Sequence, residues 1–357
     1  MALLQALRQA SPLQAAGRLA PALLAGSLQQ LRGFAAAPNQ MALIKELRER
    51  TGSPIGDVKK CLESCDWDLE AATAELRKRG LAAASKKASR HAAEGLVGLA
   101  QGDGAAAVVE INSETDFVAR NDQFRSLVSS AAAAALGVTA LRPGSGAELE
   151  EAALGAAAMA DGSTLADAVV GVAGSVRENV RLRRGFRLSA APGGLVGCYL
   201  HQSVGPGLGR IAGLVALESS MPLEGDAAAA AQELAHKLAM QVVGAGPKYL
   251  DRSVVPSEAL QAEAAVLREQ ALKSGKPEKI VDKIVAGRLD KFYGEVCLLE
   301  QAFIMDSDHK VQDVLKQSGK QLGTDLSISG FVRVQVGEGL EAETKDFAAE
   351  VAELAGQ

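Results

Sequence analysis

The chain has 357 residues, a length that sets an expectation of roughly two or three domains rather than one small core. Its apolar fraction of 48% is ordinary for a globular protein, but aromatics are only 3%, so helices packed through alanine and other small residues are expected. The formal net charge is -5 and becomes -8 once Arg8, Arg18 and Arg32 of the first 40 residues are set aside; so acidic a body argues against bare nucleic acid as a direct partner, since phosphates are held by Lys and Arg.

Residues 1–40 carry those three arginines among Leu, Ala, Gln and Ser and contain no Asp or Glu, the make-up of an organellar transit peptide, with "LRGFAAAPNQ" (31–40) as its processing region. Arg8, Pro12, Arg18 and Pro21 interrupt the apolar stretches, which argues against a secretory core or a membrane span. A leader of this kind suits the mitochondrial matrix; the plastid stroma is the alternative, and a disordered tail on a cytosolic protein is the bland one.

Residues 41–80 read as three short helices, a module near the lower size limit for an independent fold. Ser53 is placed to cap the second helix with Pro54 at its first position, and Asp66 or Asp68 to cap the third. The basic, small-residue stretch 81–95 reads as a linker. "GLVG" then occurs at 95–98 and again at 194–197. Each copy leads to a strand-like run, "AAAVVEI" (105–111) or "IAGLVALE" (211–218), and then to a helix, expected from about Asp116 to Leu136 and from about Asp226 to Val243.

The expected fold class is therefore α+β, with two related core subdomains at 96–190 and 191–255, the second completed by 295–329. The stretch between the two repeats reads as helical pieces and loops. Two helix-forming runs within 256–294, joined by "SGKP" (274–277), predict an antiparallel helical hairpin of coiled-coil type. A helix around Val311 to Gln317 follows, then the strand "GFVRVQVG" (330–337), expected to join an earlier sheet. A final helix, "TKDFAAEVAEL" (344–354), completes a C-terminal module at 330–357.

Catalytic signatures are missing from the sequence. There is no phosphate loop of the G-x-x-x-x-G-K-[ST] type, no H-E-x-x-H and no G-x-S-x-G. "GEGLEA" (337–342) matches a dinucleotide fingerprint, but the chain ends before the required second half of the unit. "GPGLG" (205–209) reads as a hairpin connection. His91, His201, His236 and His309 are scattered, and Cys61, Cys65, Cys198 and Cys297 read as reduced core thiols, since nothing completes the half metal site that Cys61 and Cys65 could offer. No cofactor or metal is expected.

"NSETDFVARND" (112–122) stands apart, because it sets a phenylalanine among charged residues. Phe117, Val118, Phe124, Leu127, Val128 and Ala131 recur at helical spacing, so Phe117 reads as the first core residue of an amphipathic helix capped by Thr115 or Asp116. The alternative is a strand-to-helix corner that presents the ring to a partner.

"EINSETDFVARND" (110–122) closely resembles the signature of elongation factor Ts, the guanine-nucleotide exchange factor for the translational GTPase elongation factor Tu. "IKELRERTGSPIGDVKKCLESCDWDLEAATAELRKRG" (44–80) is similar to that family's N-terminal module of ubiquitin-associated type. "GSVRENVRLRR" (174–184), "SGKPEKIVDKIVAGRLDKFYGEVCLLEQAFI" (274–304) and "GFVRVQVGEGLEAETKDFAAEVAEL" (330–354) resemble later blocks in the family's order.

The resemblance implies a non-catalytic protein that binds the GDP form of elongation factor Tu. It places Thr115, Asp116, Phe117 and Val118 where Mg²⁺ is displaced from the GTPase, and further partner contacts at Arg48, Gly52, Asp57, Lys59, His236 and Gln241. At Gln241 the chain has Gln where the family usually has a second histidine. The runner-up function is a ubiquitin-associated-type adaptor without exchange activity, and a third is an enzyme with an unrecognised site.

Overall fold

A computed structural model of the chain describes residues 39–274 and 277–340. The expected leader, apart from its last two residues, and the expected final helix at 344–354 lie outside the described residues. The fold is mixed α+β, and it divides into two units, up to Leu76 and from Arg77 onward.

In the first unit α1 (39–51) and α2 (Ile55–Ser64) are followed by the start of α3 (Leu69–Lys87). Ile44, Leu47, Val58, Cys61, Leu62 and Ala72 form its core, with Trp67 packed against them. Asp68 caps α3, its Oδ1 accepting the Ala71 amide at 2.7 Å. At α2 the expectation is off by one residue: Pro54 itself occupies the cap position at ψ 136°, so no side chain caps that helix. Helix α3 also continues to Lys87, well into the stretch read as linker. "LAAASKK" lacks an apolar stripe, but alanine and lysine are strong helix formers, and propensity carries the helix on.

In the second unit, strands β1 (Glu94–Gly102) and β2 (Ala105–Ser113) form an antiparallel hairpin. Beyond it lie α4 (Asp116–Ala119), α5 (Asp122–Leu136), α6 (Glu151–Gly155) and α7 (Leu165–Val176). Strands β3 (Arg181–Ser189), β4 (Leu195–His201), β5 (Leu208–Gly209) and β6 (Ile211–Ser219) precede α8 (Gly225–Ala245). The chain continues through α9 (Ser257–Lys273), α10 (Glu278–Val296), β7 (Ala302–Phe303), β8 (Asp306–Lys310), α11 (Val311–Leu322) and β9 (Leu326–Gln335).

One sheet has the order β3-β2-β1-β5 and another β4-β6-β9, every pairing being antiparallel. The period of two along each strand explains why β2 and β6 are buried almost throughout. Ala107, Val109 and Ile111 face α5 and α7, whereas Ala106 and Val108 face the second sheet. In β6, Ala212, Leu214 and Ala216 face the first sheet while Val215 and Leu217 face α8 and α11. Two sheets thus pack face to face, with helices on their outer faces.

The "GLVG" echo marks one structural position twice. A Cβ on Gly98 would lie 2.5 Å from the Val128 carbonyl oxygen of α5, and one on Gly197 would lie 2.2 Å from the Ala235 carbonyl of α8. In both halves the second glycine lets the helix backbone settle directly on the sheet.

The structure departs from expectation in three further places. The helix expected from Asp116 to Leu136 is broken in two. Strand β3 lies in a stretch expected to hold only helical pieces and loops, because four arginines in nine residues obscure its pattern. The "GPGLG" connection adds β5 to the first sheet, pairing Gly209 with Val97 and Leu208 with Gly98. Strand β9 pairs with β6 over Leu326 to Gln335. Helices α9 and α10 run antiparallel, with Leu267, Ala271, Val281 and Val285 buried between them.

Candidate functional site

Strand β2 ends at Ser113, and the chain turns through Glu114 and Thr115 into the four-residue helix α4. The Ser113 hydroxyl donates to the Thr115 carbonyl at 3.0 Å, and the Thr115 hydroxyl oxygen accepts the Val118 amide at 3.4 Å as a helix cap. Val118 and Ala119 point into the core. Asp116 is tied to Arg120 at 2.8 Å on the surface. Phe117 is 77% exposed, the most exposed large apolar side chain among the described residues.

The helical run is interrupted at Asn121. This residue takes φ -69°, ψ 136°, and its Oδ1 accepts the amides of Gln123 and Phe124 at 2.9 and 3.3 Å, so a second helix starts there. In an unbroken helix Phe117, seven residues before Phe124, would sit within about 20° of its direction and face the core. With the break, Phe124 is wholly buried and Phe117 is not. Leaving the ring in water forgoes roughly 1.5–3 kcal/mol of apolar burial.

Opposing that loss is a reciprocal pair of carboxylates. Glu178, in the turn after α7, accepts the Thr115 amide at 3.0 Å and the Thr115 hydroxyl at 2.6 Å. Glu114 accepts the Asn179 amide at 2.5 Å and lies 3.5 Å from the Arg90 guanidinium, while the Asn179 side-chain amide donates to the Arg90 carbonyl at 2.7 Å. Hydrogen bonds to a charged group contribute about 1.5–3 kcal/mol each, enough to hold an unfavourable surface ring in place. Arg177, at φ 61°, ends α7 in a left-handed turn that aims the following residues at the corner.

Beneath the corner, Glu110 is wholly buried in β2. Its carboxylate meets Arg183 at 2.8 Å and Arg184 at 2.7 Å and accepts the Gly337 amide at 2.8 Å. That last bond engages in a turn the first glycine amide of "GEGLEA", the group a phosphate would need. Neither carboxylate clasp nor buried triad was read from the sequence; "RENV" and "RLRR" stood out only as blocks of resemblance. The adjacent Arg183 and Arg184, across from a lone acid in an otherwise apolar strand, were the available signal.

The other expected contact residues are divided between the two units. Arg48 and Lys59 are exposed in the first unit, Lys59 lying 3.7 Å from Glu63. Gly52 takes φ 63° at the end of α1, where its amide donates to the Arg48 carbonyl at 2.7 Å, and Asp57 is half-buried in the first turn of α2. In the second unit His236 is exposed on α8, and its Nδ1 donates to the Cys198 carbonyl at 2.7 Å, leaving Nε2 as an acceptor when the ring is neutral. Its ring stands edge-on to Tyr199 at 5.7 Å, and the Tyr199 hydroxyl lies 3.2 Å from Nδ1 of His201, so two histidines that are distant in sequence flank one tyrosine.

Gln241 is different. It is wholly buried, its Nε2 donating to Gln301 at 3.0 Å and to the Ala302 carbonyl at 3.1 Å, while its Oε1 accepts the Ile304 amide at 2.8 Å. This amide braces the β7–β8 turn against α8 and presents nothing outward.

Burial pushes the Cys198 thiol up to about 12, and burial, followed by Glu300 and Asp251, pushes that of Cys297 up to about 11. Both are the reverse of what nucleophilic or metal-ligating cysteines need. Among the described residues no group of three or more His, Cys, Asp or Glu could hold a metal ion, and no helix is long and apolar enough to cross a membrane.

Comparison with known proteins bears on the same segment. Residues 114–338 match the sequence profile of the family described as Elongation factor TS. Elongation factor Ts of Paramagnetospirillum magneticum is 46% identical over 315 residues, covering 88% of this chain and 96% of that protein. The mitochondrial elongation factor Ts of Zea mays is 46% identical over 328 residues (89% and 84%), and that of Ostreococcus tauri 44% identical over 335 residues (90% and 94%). With a family profile that spans the clasped Phe117 corner and much of the two-sheet body that supports it, and with relatives this similar over most of the chain, the chain belongs to the elongation factor Ts family of translation elongation factors.

Proposed function

We propose that the chain is a non-catalytic guanine-nucleotide exchange factor that binds the GDP form of elongation factor Tu, displaces its Mg²⁺ and promotes loss of GDP during translation elongation. The observation that carries this reading is the 77% exposure of Phe117 on a braced corner, in the segment where the family resemblance puts the Mg²⁺-displacing contact. Asp116 and Phe117 are the groups that reach the partner, whereas Thr115 and Val118 hold them from behind. Mg²⁺ requires near-ideal octahedral geometry, so a ring wedged beside its ligands weakens the ion's hold without any acid, base or nucleophile.

One ring cannot supply the whole effect. Burying it contributes roughly 1.5–3 kcal/mol, whereas a thousandfold acceleration requires about 4 kcal/mol. Arg48, Gly52, Asp57 and Lys59 of a three-helix module of ubiquitin-associated type, together with His236, are proposed to share the work. Gln241 is left out because its amide is engaged inside the fold. The names of the plant and algal relatives support an organellar setting, the mitochondrial matrix with the plastid stroma as alternative, reached through a leader over residues 1–40.

The test is release of fluorescent GDP from purified elongation factor Tu. Added chain is expected to accelerate release, and no acceleration overturns the reading. Phe117→Ala is expected to slow exchange by about tenfold or more with the melting temperature nearly unchanged; a variant that unfolds instead would make Phe117 a core residue.

A further inference from the structure

We propose that Glu178 is the positioning residue of the Phe117 corner, selecting the broken helix that exposes the ring over the unbroken helix that would turn it inward; its consequence for exchange rests on the function proposed above. Three observations converge on it. The sequence from Asp116 to Leu136 has the apolar period of one continuous helix, with Phe117 and Phe124 on the same face. The structure instead ends α4 at Ala119 and restarts at Asp122. And Glu178 grips Thr115, the residue that caps α4, through both its amide and its hydroxyl, at 3.0 and 2.6 Å.

Glu178 follows the C-terminus of α7, the negative end of the helix dipole, where a carboxylate is disfavoured. Its two donors on Thr115 offset that cost. The clasp is also double-sided, since Glu114 accepts the Asn179 amide at 2.5 Å, so neither strand end can rotate without breaking the other bond. Thr115 is thereby held in extended conformation, at φ -127° and ψ 156°, which fixes the direction in which α4 leaves β2, with Val118 and Ala119 inward and Phe117 outward.

The experiment places 4-fluorophenylalanine at position 117 of the full chain and reads the H₂O/D₂O isotope shift of its ¹⁹F resonance, alongside GDP release from elongation factor Tu. In the otherwise unchanged chain the shift is that of an exposed ring. Glu178→Ala is expected to diminish it and to slow exchange by about tenfold, equivalent to ~1.4 kcal/mol, at temperatures well below melting. Glu178→Gln keeps an acceptor for the Thr115 amide but no charge, and is expected to fall between the two in both readouts.

A residue that merely stabilised the fold would lower the melting temperature without altering the isotope shift of the folded protein. Unchanged ¹⁹F exposure in Glu178→Ala overturns the proposal whether or not exchange falls. If that variant does not fold, Glu178→Gln decides: wild-type values in both readouts overturn the proposal. If the unmutated chain does not release GDP, the exchange reading falls by itself and the isotope shift alone judges the clasp.

Discussion

At the scale of single residues, the molecule keeps its costliest groups close to one strand. Glu110, wholly buried in β2, is neutralised by Arg183 and Arg184, themselves mostly covered, and it also fixes the Gly337 turn. Removing one partner of such a buried network leaves charge without compensation, at a cost of about 3–5 kcal/mol. Glu110→Ala is therefore expected to lower stability by that amount in denaturant unfolding, and a loss below about 1 kcal/mol would show that water replaces the carboxylate. Phe117 is the opposite case, an apolar ring whose removal should leave stability alone because water already surrounds it. Sequence period could not separate the two. It assigned Phe117 to the core by its spacing from Phe124, and it gave no sign that an acid in a β-run would be buried.

At the scale of elements, the two "GLVG" copies mark where a helix meets a sheet without an intervening side chain. Gly197→Ala would place a methyl group 2.2 Å from the Ala235 carbonyl, so α8 must lift; a loss of about 1–3 kcal/mol is expected. Gly56→Ala, on α2 with open space around it, is the control and is expected to be neutral or slightly stabilising. Equal effects from the two substitutions would count against close packing as the reason for the repeat. The repeat was legible in the sequence because a glycine weakens a strand interior unless a bulge or a close backbone approach requires it, and the strand–helix order after each copy followed from period alone. Strand β3 was not legible, because its inward and outward positions are mixed by Arg181, Arg183, Arg184 and Arg187. Nor was the break at Asn121, although an Asn followed by Asp and Gln is a recognisable helix start.

At the scale of the whole second unit, the two sheets with α5, α7, α8 and α11 hold nearly all the buried apolar residues, while α9 and α10 bury only a small seam of their own. The pair leaves and re-enters the body at one place, where the Tyr249 amide donates to the Val296 carbonyl at 3.0 Å and Val255 packs near Cys297. Replacing residues 257–295 with a short flexible link is expected to lower helical circular dichroism and to preserve one cooperative melt of the remainder; loss of cooperativity would show that the helix pair is part of the core. A different consequence follows from the two-residue strand β5. It comes from the connection between β4 and β6, yet it pairs with Val97 and Gly98 at the middle of the open side of β1 in the first sheet. While the polypeptide is being made from its N-terminus, that apolar edge stays uncovered until residue 209 has emerged, so the half completed first is the one exposed to edge-to-edge association, and its protection is encoded in the half that comes later.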